Sequence, residues 1–234
     1  LTPIQLSAER LKRRYLKQIE SDREIFETCT DTIIRQVGDI GRMVDEFSSF
    51  ARLPAPAMSR QDLGRLVGQA VSLQSGAERR DISFTYEPPK ESVYLQVDPG
   101  QIRQALTNLL QNAADAIEAR QEQERTDGKE VRPGLVTARL IEGEDSFDVV
   151  IEDNGRGLPA HEREKLTEPY ITTREKGTGL GLAIVKKIME DHGGQLSLGD
   201  RTDEKGARIV LSFPRSLDQP LEQEAPEAER RVAG

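Results

Sequence analysis

From Phe26 the seam positions Phe26, Thr30, Ile33, Val37, Ile40, Val44, Phe47 and Ala51 alternate four and three apart. This is a heptad pattern, and Ile25, Ile34, Met43 and Phe50 widen its apolar stripe. It predicts a long helix, opened by a capping box of Ser21 and Glu24 and stopped by Pro54 and Pro56. Leu1, Ile4, Ala8, Leu11 and Tyr15 repeat the spacing on a shorter helix before it. Together they predict a helical hairpin over residues 1–53 whose stripe is too wide to be covered internally. A dimer closing a four-helix bundle is the expected solution. A single antiparallel coiled coil packed on a second domain is the competing arrangement.

Residues 54–60, rich in Pro and Ala, read as a linker, after which the periodicity becomes mixed. Asp62–Gln74 is helical in pattern, while Ile82–Tyr86 and Val93–Val97 alternate like strands. Asp98 followed by Pro99 marks the start of a helix running to about Glu124. Leu135–Ile141 and Phe147–Ile151 read as a strand pair, Gly179–Asp191 as a helix, and Gln195–Leu198 and Arg208–Phe213 as closing strands. This order predicts an α/β sandwich over residues 61–214. Residues 215–234, rich in Glu, Pro and Ala, read as a disordered tail.

Composition narrows the chemistry. One cysteine, Cys29, and two histidines, His161 and His192, exclude a disulfide framework and a Cys- or His-rich metal site. A net charge of -8 argues against a general nucleic-acid binder. No apolar run reaches the ~18 residues of a membrane span.

Three motifs carry chemistry. The helix after Asp98 has apolar positions Ile102, Ala105, Leu106, Leu109, Leu110, Ala113 and Ile117, leaving a polar stripe of Gln104, Asn108, Asn112 and Asp115. Asn108 and Asn112 stand one turn apart on one face, and an Asn carbonyl oxygen suits Mg²⁺. Ala113, Ala114 and Ala116 are expected to keep that surface low for a ligand, although an Asn pair on a solvated face has the same spacing. Second, Asp153-Asn154-Gly155-Arg156-Gly157 follows the apolar strand and places a carboxylate where it can accept from an exocyclic amine such as that of adenine. A plain turn between strands has the same composition. Third, Gly177-Thr178-Gly179-Leu180-Gly181-Leu182 opens a helix, a device for holding phosphate, though it is neither a dinucleotide fingerprint nor a Walker run.

In this order N-L-L-Q-N-A-A-D-A, D-N-G-R-G and G-T-G-L-G-L-A resemble the N box and the two glycine boxes of sensor histidine kinases. These kinases share an ATP-binding superfamily with gyrase and the Hsp90 chaperone. The resemblance covers about residues 1–214. L-T-P-I-Q-L-S-A-E-R-L-K-R-R-Y and R-Q-V-G-D-I-G-R-M-V-D-E-F-S-S-F-A-R point to the nitrogen-regulation branch. The resemblance implies ATP and Mg²⁺ as cofactors. Asn112 would ligate the metal and Asn108 would contact metal or phosphate. Asp153 would bind the adenine amine in a pocket shaped by Gly155 and Gly157. Gly177, Gly179, Leu180 and Gly181 would form the hinge of a lid and hold phosphates. Tyr170, Thr172, Thr173 and Arg174 resemble the F box of that lid, with Leu166-Thr167 where the family's first phenylalanine stands. Arg163, Lys165, Arg174 and Lys176 are candidate cations for the triphosphate.

The family's phosphoacceptor lies in an H-E-x-x-N-P run, and this sequence starts at the residue expected just after it. The resemblance therefore implies a piece of a kinase that binds Mg²⁺–ATP, lacks its own acceptor and cannot autophosphorylate. The superfamily's ATPases carry a Glu four residues before the metal-binding Asn, where this chain has Asn108, which favours kinase over ATPase. A dimeric nucleotide-binding scaffold for a response regulator is the alternative. Implied partners are a second copy, through the hairpin, and an NtrX-like receiver domain, without nucleic acid or membrane contact. The expected location is cytoplasmic, with the parent protein anchored in the bacterial inner membrane.

Overall fold

Helical spacing is realised in α1 (Thr2–Tyr15) and α2 (Arg23–Ala51), in a computed structural model that describes residues 2–19, 21–51, 53–76, 81–159, 163–171 and 178–218. The chain divides into two units: Leu1–Pro54 with Glu164–Ala183, and Ala55–Arg163 with Ile184–Gly234. In the first, α1 and α2 pack together, burying Ala8, Thr30 and Val37. The Thr30 hydroxyl donates to the Phe26 carbonyl at 2.8 Å, so its own helix satisfies it inside the seam. Lys12 joins the helices through Asp31 at 2.6 Å and Glu27 at 3.2 Å. Much of the apolar stripe stays open: Ile25, Ile33, Ile40, Met43, Val44 and Phe47 are each at least 45% exposed. The start of α2 differs from expectation. Asp22, not Ser21, holds the cap position, with φ 56° and its carbonyl accepting from Phe26 N–H at 2.9 Å. A short polar residue tolerates this left-handed backbone, and it shifts the start by one residue.

The second unit is built on a five-stranded sheet ordered β2-β4-β5-β7-β6, from β2 (Ile82–Glu87), β4 (Gly134–Glu142), β5 (Ser146–Asp153), β6 (Gln195–Asp200) and β7 (Ala207–Pro214). Only the β2–β4 pair is parallel. Alternation gives the sheet one apolar face: Val136, Ala138 and Leu140 of β4, Val149 and Ile151 of β5, and Ile209, Leu211 and Phe213 of β7 are all buried. Packed against strands of this sheet are α3 (Leu63–Ser75) and α4 (Pro99–Thr126). The chain also forms α5 (Gly181–Asp191), in which Ile184, Val185, Ile188 and Met189 are buried.

Two expectations are corrected here. Residues 54–60 are not all linker, because β1 (Ser59–Asp62) pairs antiparallel with β3 (Tyr94–Val97) in a separate two-stranded sheet. Its polar S-R-Q-D carries no apolar alternation, and it is held by backbone pairing and by the Arg60 guanidinium 4.9 Å from the Tyr94 ring centroid. The tail is ordered at its start. Arg215–Asp218 makes a short 3-10 turn, and Arg215 donates to Glu142 at 2.6 Å and stacks 4.8 Å from the Phe147 ring centroid.

The cap of α4 matches its sequence signature. One Asp98 carboxylate oxygen accepts from Gly100 N–H at 2.8 Å and Gln101 N–H at 3.0 Å, and the other from Ala57 N–H at 2.8 Å. Burial pushes the Asp98 carboxyl up, but these N–H bonds outweigh it and hold the group below its ordinary 3.8. His192 is only 1% exposed and ties this cap to the end of α5. Its Nε2 accepts from Asp98 N–H at 3.0 Å, and its Nδ1 lies 2.7 Å from the Ile188 carbonyl. This pattern requires the neutral ring protonated on Nδ1, so His192 is a connector between the two helices. Glycine caps α5, with Gly193 at φ +65° and Gly194 N–H donating to the Met189 carbonyl at 2.8 Å. His192→Ala orphans the Asp98 N–H and lowers the unfolding free energy by about 1–2 kcal/mol. Urea denaturation checks this; an unchanged midpoint contradicts it.

Candidate functional site

On α4 the polar stripe lies between two unlike flanks. Gln104, Asn108, Asn112 and Asp115 are half-buried, with buried Ala105, Leu109 and Ala113 on one side and exposed Arg103, Thr107 and Gln111 on the other. A plain solvated face would leave all four exposed. The alanines behave differently from expectation: Ala113 and Ala114 are buried in the core, because helical spacing turns them inward from the stripe. Ala116 is the alanine that admits close approach, and what approaches it is backbone.

That backbone is the turn after β5. Strand alternation puts Asp153 on the same face as Val149 and Ile151, the face that carries the helices, and the residue is 3% exposed. Its carboxylate accepts from Gly155 N–H at 2.8 Å. Arg156 N–H donates to the Ala116 carbonyl at 3.3 Å, docking the turn on α4 one turn beyond Asn112. A Cβ at Gly155 would stand 2.8 Å from the Ala116 Cβ and 2.8 Å from its carbonyl carbon. Gly157 has φ +80°, which favours glycine. From the other side Gly206 presses on the turn, where a Cβ would fall 1.8 Å from the Asp153 carbonyl oxygen.

The turn is also anchored to β4. The Asn154 Oδ1 accepts from Leu135 N–H at 2.9 Å, and its Nδ2 donates to the Pro133 carbonyl at 3.1 Å. The same carbonyl receives Arg120 of α4 at 3.2 Å. Arg120 pairs with Glu124 at 3.2 Å, and Glu124 accepts Arg132 through its backbone N–H at 3.0 Å and its guanidinium at 2.8 Å. The Arg132 N–H, with both guanidinium groups, holds the Glu124 carboxyl below its ordinary 4.5.

The glycine-rich run belongs to the other unit and is described on its own. Tyr170 has φ 68° and donates its N–H to the Gly179 carbonyl at 3.2 Å. Gly179 has φ +71°, and a Cβ there would meet the Tyr170 carbonyl carbon at 2.6 Å. Leu180 is fully buried and its N–H donates to the Thr178 hydroxyl at 3.3 Å, so its side chain is a core group. Gly181 is the first residue of α5. Thr172, Thr173, Arg174, Lys176 and Gly177 lie outside the described residues, as does His161. Of the candidate cations, Arg163 is committed to Asp200 at 2.5 Å, and Lys165 is exposed. Among the described residues no cluster of three His, Cys, Asp or Glu is placed to hold a metal.

The family model described as "Histidine kinase-, DNA gyrase B-, and HSP90-like ATPase" matches residues 97–217, which include Asn108, Asn112, Asp153 and the glycine run. The chain belongs to this family. It is similar to nitrogen regulation protein NtrY of Azorhizobium caulinodans, 51% identical over 98% of this chain and 28% of that protein. Among solved structures, the catalytic domain of histidine kinase ThkA is 27% identical with a TM-score of 0.55, covering 67% of this chain and 95% of that one. Histidine kinase ThkA in complex with response regulator protein TrrA gives a TM-score of 0.65 at 22% identity, over 91% of this chain and 58% of that one, a likeness of fold. The chain spans about a quarter of the length of its NtrY relative.

Asn154 and Gly206 were missed as site residues. Within the sequence Asn154 is one letter of a turn, and Gly206 is a glycine in a hairpin loop; their contacts are with segments about 20 and 50 residues away. Gly206→Ala drives a methyl group into the Asp153 backbone and costs about 1–3 kcal/mol of stability. Gly199→Ala serves as the control, since its nearest neighbour would be 3.7 Å away. Equal denaturation midpoints for the two variants contradict the close approach.

Proposed function

We propose that this chain holds Mg²⁺–ATP for phosphoryl transfer in an NtrY-type sensor histidine kinase. The observation that carries the reading is the buried Asp153 carboxylate, set beside the Asn-bearing helix by a turn that has no room for a Cβ at Gly155. The residues present fit a nucleotide. A buried acceptor suits the adenine amine, the glycine turn admits a flat ring close to backbone, and Asn oxygens suit a hard cation. Asn112 would ligate Mg²⁺, Asn108 would contact metal or phosphate, and Asp153 would bind the amine between Gly155 and Gly157. Gly179 and Gly181, with the backbone of Leu180, would serve the phosphates, together with Tyr170, Thr172, Thr173, Arg174 and Gly177. A bound metal would neutralise phosphate charge, while the chain's own work would be to position the nucleotide and exclude water.

Asn108 supports kinase over hydrolase chemistry, because an amide is a poor base for activating water. The open stripe on α2 supports a homodimer closed through the helix pair, residues 1–53, with the ATP-binding domain at 61–214. Phosphoryl transfer from a histidine to a receiver domain of an NtrX-like regulator is the proposed onward step, and anchoring of the parent kinase in the inner membrane the proposed setting. Within this sequence His192 is buried with both ring nitrogens engaged, which removes it as an acceptor.

Isothermal titration tests the reading. Asp153→Asn and Asn112→Ala should each weaken Mg²⁺–ATP binding by about tenfold or more, the worth of a hydrogen bond or ligand to a charged group. Absent binding in the unaltered chain, or affinity indifferent to both changes, contradicts it. Incubation with labelled ATP should leave the 234-residue chain unlabelled, and incorporated phosphate contradicts that part.

A further inference from the structure

Asn154 is 8% exposed and uses both ends of its carboxamide. Its oxygen accepts from Leu135 N–H at 2.9 Å, its amide donates to the Pro133 carbonyl at 3.1 Å, and its backbone N–H donates to the Leu135 carbonyl at 3.2 Å. One acceptor and one donor are demanded at fixed positions, so no isosteric side chain replaces it. Asp would set a carboxylate oxygen against the Pro133 carbonyl oxygen, and Leu would leave the Leu135 N–H without its side-chain acceptor. The Pro133 carbonyl does not yield easily, because Arg120 of α4 donates to it at 3.2 Å and to the neighbouring Arg132 carbonyl at 3.1 Å.

The consequence falls on the preceding residue. Ladder pairing with Val136 holds Asp153 on its N-terminal side, and the Asn154 clamp holds it on its C-terminal side. The carboxylate direction is then left to the two side-chain torsions, which the bond from Gly155 N–H restrains. We propose that Asn154 is a positioning residue that aims Asp153 and so sets the base selectivity of the nucleotide site. This rests on the reading of Asp153 as the acceptor for the adenine amine. Asn154 itself touches no nucleotide; it acts through the backbone it clamps.

The test compares affinities for ATP and inosine triphosphate, which carries a carbonyl oxygen in place of the amine and so sets oxygen against the Asp153 carboxylate. The unaltered chain should prefer ATP by about tenfold or more. Asn154→Asp should cut that preference several-fold. Asn154→Ser, a milder change whose hydroxyl reaches at most one of the two partners, should give an intermediate ratio if the Asp variant fails to fold. A structural role alone would weaken both nucleotides equally and leave the ratio intact, and that outcome in a folded Asn154 variant overturns the proposal. Asp153→Asn separates the two failures. A ratio lost in Asp153→Asn but kept in the Asn154 variants sinks the positioning role only. A ratio that survives Asp153→Asn, or no preference in the unaltered chain, sinks the adenine reading and this proposal with it.

Discussion

Gly155 meets α4 at a separation that admits no side chain, since a Cβ there would lie 2.8 Å from the Ala116 Cβ. The candidate site depends on that contact. It puts the strand end carrying Asp153 one helical turn from Asn112, and it does so through backbone, which cannot rotate aside. Gly206 closes the same turn from the opposite side. A methyl group on either face costs about 1–3 kcal/mol, against a total stability of about 5–15 kcal/mol for a domain. The turn is therefore fixed by steric exclusion, and its hydrogen bonds choose among the few arrangements left.

Such a contact is useful only if α4 stays in place, and the helix is anchored at both ends. At its start Asp98 caps the helix, receives the Ala57 N–H, and donates its own N–H to His192 beyond α5. Near its end Arg120 and Glu124 grip the Arg132–Pro133 segment that leads into β4. Hydrogen bonds to ionised groups are worth about 1.5–3 kcal/mol, more than neutral pairs, so these ends are firm. The Asn stripe sits between them. An amide oxygen and a buried carboxylate on one rigid frame suit the proposed role, in which the chain's contribution to phosphoryl transfer would be positioning.

The elements legible in the sequence were those whose signal is local. Period-two alternation in β4, β5 and β7, and the Asp98-Pro99 start of α4, were read at nearly the right residues. The stripe of Asn108 and Asn112 follows from spacing alone. What failed was decided at a distance. Ser59–Asp62 is a strand because Tyr94–Val97 lies beside it, with no apolar alternation to announce it. Ala114 was assigned to the ligand side when it belongs to the core, and Ala113 follows the apolar positions of the helix instead of flanking a ligand. The neutral state of His192 and the press of Gly206 on Asp153 require partners that the chain brings in from far away in sequence.

A structure of the chain with Mg²⁺ and a non-hydrolysable ATP analogue addresses the central claim most directly. The adenine amine should lie within hydrogen-bonding distance of the Asp153 carboxylate, about 2.7–3.2 Å, with the ring against the Gly155–Gly157 turn and the metal on the Asn112 oxygen. A nucleotide bound elsewhere, or one seated there with Asp153 turned away from the amine, would contradict it.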